Sequence, residues 1–255
     1  MKKNDYFYGE CVDLTHDGQG VVKVDNFTYF VKGMLVGETG RLKVIKVLKN
    51  YAIARLIELD EVSKYRIEPK CSVFKPCGGC QLQHLSKEGQ MLFKTKRVKD
   101  CLERIGNCFV TVNDCLMMEE PWYYRNKIQM PIASHKNGQA LIGFYQEGTI
   151  RIIEKDDCLI QAPIGQKVLA VIRELIAKFH VAPFDWQKQR GTLKYILLRY
   201  GFTSHELMVV FVTNGENFKY RKPFVATLTS RIPEIKTIVQ NVNNRKDHLV
   251  LDRKE

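Results

Sequence analysis

The sequence predicts an α+β protein, with a small closed β-barrel at the N-terminus and a larger domain of mixed strands and helices after it. Short, partly alternating segments separated by glycine turns fill residues 6–59, which is typical of small barrels of the oligonucleotide-binding kind. Strands and amphipathic helices then follow without strict alternation, which favours an α+β arrangement. Between the two regions, three cysteines lie within ten residues and indicate a metal-binding loop.

The barrel is predicted to occupy residues 1–62 and to contain five strands. Asp25-Asn26 is a two-residue hairpin signal between the second and third strands. The fourth strand carries a local basic patch that includes Lys43 and Lys46. The predicted strands are 6–14, 21–24, 27–31, 41–47 and 51–57.

A helix is predicted to follow the cysteine loop, over residues 86–105. Ser86 can cap its N-terminus, and Gly106 can end it. Apolar residues recur on one face at three- and four-residue steps, and basic residues occupy most of the remainder. The apolar positions are Met91, Thr95, Val98, Leu102 and Ile105.

The rest of the chain is predicted to form the larger domain, over residues 63–255. Strands are predicted wherever short runs of β-branched and aromatic residues occur, and helices wherever the apolar period is close to four. The predicted strands are 124–131, 140–145, 149–154, 194–200, 206–213 and 237–241, and the predicted helices are 164–180 and 222–231.

The cysteine loop has the pattern C-x5-C-x2-C, formed by Cys71, Cys77 and Cys80. Gly78 and Gly79 carry no Cβ, so the backbone can curl until the flanking thiols point at a common centre. Such a loop supplies three ligands of an iron–sulfur cluster, or of a cysteine-rich zinc site, and needs a fourth.

Two residues can supply the fourth ligand, namely His84 and Cys158. An all-thiolate site favours Cys158. The spacing alone favours iron–sulfur over zinc without excluding zinc. Disulfides are the weaker interpretation of the eight cysteines, because the N-terminus shows no secretory signal and a cytoplasmic protein keeps its thiols reduced.

The formal net charge is +12, which favours an acidic partner such as a nucleic acid, although many basic proteins bind no particular partner. No apolar stretch approaches the roughly 18–20 residues of a membrane span. The segment 122–127 interleaves aromatic and basic residues, a pattern that can stack unpaired bases and neutralise phosphates. Its candidate RNA contacts are Trp122, Tyr124, Arg125 and Lys127. The alternative is an ordinary strand with buried rings and exposed charges.

The stretch Cys71-x5-Cys77-Gly-Gly-Cys80-x2-Gln83-His84 resembles the cluster loop of the bacterial 23S ribosomal RNA (uracil-5-)-methyltransferase family. The segments 142–145 and 158–161 fit the family's second cysteine region, which reads Gly-x-Tyr followed by Cys-x-Ile-Gln. The resemblance implies a [4Fe–4S] cluster bound by Cys71, Cys77, Cys80 and Cys158. It also implies S-adenosyl-L-methionine as the methyl donor.

The stretch from Gly9 to Val21 resembles a TRAM domain, the RNA-binding barrel of this family. The resemblance implies a cytoplasmic, monomeric RNA-binding enzyme whose substrate is ribosomal rather than transfer RNA. It also implies that the helix 86–105 packs on the methyltransferase domain and that the segment 122–127 lies near the RNA.

The sequence shows no glycine-rich turn for S-adenosylmethionine, because its one Gly-x-Gly, at Gly18 and Gly20, falls in the barrel. The family's nucleophilic cysteine and glutamate motifs do not occur either. We therefore expect the N-terminal part of a uracil-5 methyltransferase, with the catalytic Rossmann-like domain largely absent and this chain inactive alone. The alternative is a stand-alone RNA-binding module with a structural zinc or iron–sulfur site and no catalysis. A radical S-adenosylmethionine enzyme is disfavoured, because it requires C-x3-C-x2-C.

Overall fold

The computed structural model describes residues 1–135, 139–247 and 249–252. It divides into two compact units: Met1–Phe74 with Cys80–Glu119, and Lys75–Gly79 with Glu120–Glu255. This division differs from the predicted boundary after residue 62. The reason is that Tyr65, Leu85 and Phe93, which follow the barrel in sequence, pack into the barrel's core.

The first unit contains a closed barrel with the strand order β1-β2-β3-β5-β4. Its strands lie where the alternating segments predict them, and β1 pairs with β4 to close it. Asp25 and Asn26 have positive φ angles of 50° and 59°, which a two-residue hairpin turn requires. The strands are β1 Tyr6–Leu14, β2 Gly20–Val24, β3 Phe27–Lys32, β4 Thr39–Val47 and β5 Tyr51–Glu61.

A buried ion pair fixes the chain that leaves the barrel. Glu38 is fully buried before β4, and Arg66 donates to both of its carboxylate oxygens, Nε at 2.5 Å and Nη2 at 2.7 Å. The backbone N–H groups of Leu35 and Ser63 donate to the same carboxylate, at 2.8 and 3.3 Å. The carboxylate therefore holds the segment after β5 against the loop between β3 and β4.

The helix of the first unit, α1, spans Lys87–Arg104, and the Ser86 side chain accepts a hydrogen bond from the Gly89 N–H as the sequence predicts. Phe93 packs against the barrel core. Val98 and Ile105, on the predicted apolar stripe, are 51% and 84% exposed. These two positions of the stripe are therefore uncovered, whereas Met91, Thr95 and Leu102 are partly buried, and the packing of α1 on a methyltransferase domain stays a prediction.

The second unit is built on a six-stranded sheet with the order β11-β10-β9-β6-β7-β8. The pairs are antiparallel except β10–β11, which is parallel. The strands are β6 Lys127–Ser134, β7 Ala140–Tyr145, β8 Ile152–Glu154, β9 Leu193–Tyr200, β10 Leu207–Thr213 and β11 Ile235–Val242, and the helices are α2 Ile164–Lys178 and α3 Arg221–Arg231.

The parallel pair corrects the predicted fold class. Strand β10, helix α3 and strand β11 form a strand–helix–strand unit, which is the building block of Rossmann-like sheets. The expectation that a Rossmann-like part is largely absent from this chain is therefore wrong. The sequence does not reveal this unit, because the direction of strand pairing leaves no periodic signal. The other four strand pairings in the sheet are antiparallel.

The main core of the second unit lies between this sheet and its two helices. Apolar residues of β6, β9, β10 and β11 face apolar residues of α2 and α3 in one cluster. A smaller cluster lies around Tyr195, Leu197, Val210 and Val212, with Trp186 and Val250 packed against it. Among the described residues, none of the helices combines the length and the apolar character that a membrane span needs.

Breaking the buried ion pair should destabilise the first unit. Glu38→Ala leaves two backbone N–H groups without their acceptor and the Arg66 guanidinium with only the Gly33 carbonyl, so the free energy of unfolding should fall by about 3–5 kcal/mol. Urea denaturation measures the change. Glu10→Ala, at an exposed position of β1, is the matched control and should change stability by less than about 0.5 kcal/mol. Equal effects of the two substitutions would contradict the structural role of Glu38.

Candidate functional site

The four cysteines predicted to bind a metal are distributed over both units. Cys71 and Cys80 belong to the first unit, whereas Cys77 and Cys158 belong to the second. All four are partly buried. Within the described residues, no group of three or more histidine, cysteine, aspartate or glutamate side chains is placed to hold a metal ion.

The environment of Cys77 nevertheless suits a metal-bound thiolate. Cys77 forms an antiparallel bridge with Gln146, and the Gly78 N–H donates to the Tyr145 carbonyl at 3.1 Å. A Cβ on Gly78 would come within 3.3 Å of that carbonyl, so glycine allows the close approach. The Gly79 N–H donates to Cys77 Sγ at 3.4 Å. Hydrogen bonds of this kind stabilise cluster-bound sulfur, so the donor chemistry fits an iron–sulfur centre.

Arg125 connects the two cysteine segments of the second unit. Its guanidinium donates to the Gly79 carbonyl at 3.2 Å. Its backbone N–H donates to the Ile160 carbonyl at 2.8 Å, two residues after Cys158. The predicted RNA-contacting segment therefore lies against both cysteine segments of its unit.

The segment 122–127 differs from an ordinary strand with buried rings. Strand β6 begins only at Lys127, and Tyr124 is 47% exposed. Arg125 and Lys127 are also exposed, whereas Trp122 is partly buried. Tyr124 and the two basic residues are therefore accessible to a ligand.

The barrel presents a second aromatic and basic surface. Tyr6 and Tyr8 are 50% and 66% exposed, and they lie opposite Lys43 and Arg41 in the β1–β4 ladder. Arg41 and Lys43 both lie over the Tyr6 ring, at 4.6 and 5.2 Å from its centre. The basic pattern of β4 predicts Lys43 but not Tyr6, Tyr8 and Arg41, although the alternation in β1 and β4 places all four on the outer face.

Lys46, the other predicted barrel contact, is exposed near the end of β4. The ladder between β4 and β5 is irregular between Val44 and Lys46. Lys46 is therefore accessible but does not join the contacts around Tyr6 that the structure shows for Lys43.

His84, the alternative metal ligand, is only 3% exposed, and neither ring nitrogen has a hydrogen-bond partner among the described residues. Burial, assisted by the charge of Arg66, lowers its pKa to about 4. Its ring lies against Phe74, with centres 5.4 Å apart. His84 is therefore a neutral side chain of the loop's interior.

The turn after β10 lies where a Rossmann-like sheet places its cofactor. Here the Gly215 N–H donates to the Asn244 side chain at 2.7 Å. The Thr213 hydroxyl donates to the Gly215 carbonyl at 2.8 Å, and the Gln240 amide donates to the same hydroxyl at 3.0 Å. These groups bond to one another, and we assign no described residue to S-adenosylmethionine.

The chain is similar to proteins named RNA methyltransferases, although no family model matches it. It is 42% identical over 255 residues to an uncharacterized RNA methyltransferase of Halalkalibacterium halodurans and 41% identical over 258 residues to one of Clostridium acetobutylicum. Both alignments cover 100% of this chain and 56% of the relative. The chain thus spans a little over half the length of these curated relatives.

The fold is similar to that of a solved enzyme, the tRNA (uracil-54, C5)-methyltransferase of Pyrococcus abyssi in complex with S-adenosyl-L-homocysteine. The TM-score is 0.68 at 26% identity, over 96% of this chain and 53% of that one. This match, like the parallel strand–helix–strand unit, overturns the predicted fold class. The expectation that the chain alone is inactive therefore has no support in the fold or in the relatives.

The low pKa of His84 predicts a pH dependence of stability. The folded protein holds His84 neutral down to about pH 4, whereas the unfolded chain protonates it near the ordinary value of 6.5. The stabilisation is therefore complete above pH 6.5 and is lost as the pH falls from 6.5 towards 4, by about 2–3 kcal/mol.

Urea denaturation of the wild type and of His84→Leu, near pH 7 and near pH 4.5, measures this loss. The wild type should lose more stability than the variant over that range. His16→Leu, at a largely exposed histidine, should behave as the wild type does. A loss of the same size in His84→Leu would show that other groups cause it.

Proposed function

We propose that the protein is an S-adenosylmethionine-dependent RNA methyltransferase that modifies C5 of uracil in the cytoplasm. The observation that carries this proposal is the 42% identity to a protein named an RNA methyltransferase, which extends over the whole chain. The fold supports it, because the similar Pyrococcus abyssi enzyme is a uracil-5 methyltransferase. The motif around Cys71, Cys77 and Cys80 favours 23S ribosomal RNA as the substrate.

In the proposed reaction, the methyl group leaves the donor's sulfonium and bonds to C5 of uracil, and C5 loses its proton to a base. We assign to the described residues the binding of the RNA. Tyr6, Arg41 and Lys43 offer a stacking ring and two cations on the barrel. Lys46 adds a third barrel cation. In the second unit, Tyr124, Arg125 and Lys127 are exposed in the same combination, with Trp122 beside them.

We also propose that Cys71, Cys77, Cys80 and Cys158 bind one [4Fe–4S] cluster. Four partly buried thiols and the N–H donor at Cys77 Sγ support this ligand set. Methyl transfer to uracil needs no redox step, so the cluster's role is structural. It would join residue 71 to residue 158, a restraint between distant parts of the chain.

A methyl-transfer assay tests the proposed function. The protein, tritium-labelled S-adenosylmethionine and transcripts of 23S ribosomal RNA or transfer RNA should yield labelled 5-methyluridine. RNA that carries tritium at C5 of uracil should release it to water in step with methylation. Labelling of transfer RNA alone would correct the substrate. RNA binding with no methylation of either transcript would favour the stand-alone binding module.

Purification under anaerobic conditions tests the metal site. The protein should be brown and contain about four irons and four sulfides per chain. Cys158→Ser should lose the colour and lower the melting temperature, because the restraint between the two cysteine segments is lost. Cys108→Ser, at an exposed cysteine outside the predicted ligand set, is the control and should keep the iron. Stoichiometric zinc without iron would refute the cluster.

A further inference from the structure

The second unit contains a cleft of about 460 Å³ at one end of its sheet. Its lining includes three basic side chains, those of Lys127, Arg199 and Lys236. Tyr200, Ser204 and Glu206 also line it. Of these residues, the sequence predicts only Lys127 as an RNA contact.

Strand register brings the basic residues together. Lys127 of β6 pairs with Arg199 of β9, Arg199 pairs with Met208 of β10, and Met208 pairs with Thr237 of β11. Directly paired residues project from the same face of a sheet. The residues next to them in sequence, Ile128, Leu198 and Leu207, belong to the core that α2 and α3 cover. The row therefore lies on the face opposite the helices.

A bulge adds Lys236 to this row. In the β10–β11 ladder, Leu207 pairs with Ile235 and Met208 with Thr237, so Lys236 is an extra residue on β11. A bulge can redirect a side chain that regular pleating would turn to the other face. Lys236 and Thr237 are consecutive, yet both are exposed and both line the cleft.

The three basic side chains give the cleft more positive than negative charge. Lys127 and Arg199 lie directly opposite each other, and like charges so placed destabilise a sheet. Among the residues that the structure describes, none of the three cations forms an ion pair, and Lys236 Nζ donates only to the Pro233 carbonyl, at 3.1 Å. Glu206 contributes one carboxylate to the lining, so the cleft keeps a net positive charge.

Aromatic rings adjoin these cations. The Tyr200 ring contacts Phe202 edge to face, with centres 5.3 Å apart, and its hydroxyl lies 2.9 Å from His205 Nδ1. Phe202 is 46% exposed. Tyr123 and Tyr124, which precede Lys127 in the chain, are also exposed. A basic cleft lined by an aromatic ring, with exposed rings next to it in sequence, suits a nucleic-acid strand better than an acidic peptide, which has no base to stack.

We propose that this cleft binds the phosphate backbone of the substrate RNA, with Lys127, Arg199 and Lys236 as the phosphate contacts. The proposal rests on the proposed function, since it concerns how that RNA is held. It extends the RNA-binding surface from the segment 122–127 across the sheet to β11. The three cations contact the backbone rather than base edges, so they contribute affinity without selecting a sequence.

A double variant with a matched control tests the cleft. In R199Q/K236Q two cleft cations are removed, and in R221Q/K222Q the same two charges are removed from the start of α3, where both residues are exposed. Binding of a fluorescein-labelled RNA hairpin with an unpaired loop is measured by anisotropy over a series of salt concentrations. The slope of log affinity against log salt should become shallower by about 1.4–1.8 in the cleft variant and change little in the control.

The melting temperature of the cleft variant should be equal to or above that of the wild type, because removing Arg199 relieves the like-charge contact with Lys127. A lower melting temperature with an unchanged salt slope would show a structural role and overturn the proposal. Equal slopes of log affinity against log salt for the two double variants would also overturn the cleft proposal. If the unmodified protein still binds RNA in that case, the proposed function stands. No RNA binding by the unmodified protein would overturn both.

A competition experiment separates RNA from an acidic protein partner. Polyglutamate should displace the labelled hairpin poorly from the wild type. Polyglutamate that binds the wild type tightly and R199Q/K236Q weakly, with RNA affinity equal in the two proteins, would assign the cleft to an acidic peptide instead.

Discussion

The burial of strand β9 on both faces is the constraint on which the second unit depends. Its first six residues are buried, and it lies between β6 and β10. Even Lys194 is fully buried there; its ammonium donates to the Arg245 carbonyl at 2.8 Å and lies 4.4 Å from the centre of the Phe184 ring. The end of the strand, at Arg199 and Tyr200, is less buried, so this is the part of β9 that a ligand can reach.

Hydrogen bonds connect β9 to the segment that precedes β6. The Tyr200 N–H donates to the Asn126 carbonyl at 2.8 Å, just before β6 begins. Arg125 then contacts both the Gly79 carbonyl and the Ile160 carbonyl. The central strand, the exposed aromatic segment and two cysteine segments are thus linked by consecutive hydrogen bonds.

Much of the fold could be predicted from sequence. The strands of the barrel, the cap at Ser86 and the order of strands and helices in the second unit follow from alternation, capping and helical periodicity, which are local properties of the chain. The cysteine spacing predicts a metal-binding loop, and its ligand set stays a prediction. The candidate sites were predicted less completely, because Tyr6, Arg41 and Arg199 stand among ordinary strand residues, and nothing local distinguishes them.

The sequence by itself determined where the strands and helices lie, the clustering of three cysteines and the excess of positive charge. Only the tertiary structure decided that β10 and β11 pair in parallel, that Glu38 meets Arg66 and that Lys127, Arg199 and Lys236 share one cleft. The reason is physical: strand pairing and register join residues far apart in sequence, and a shift of one residue turns every side chain to the opposite face.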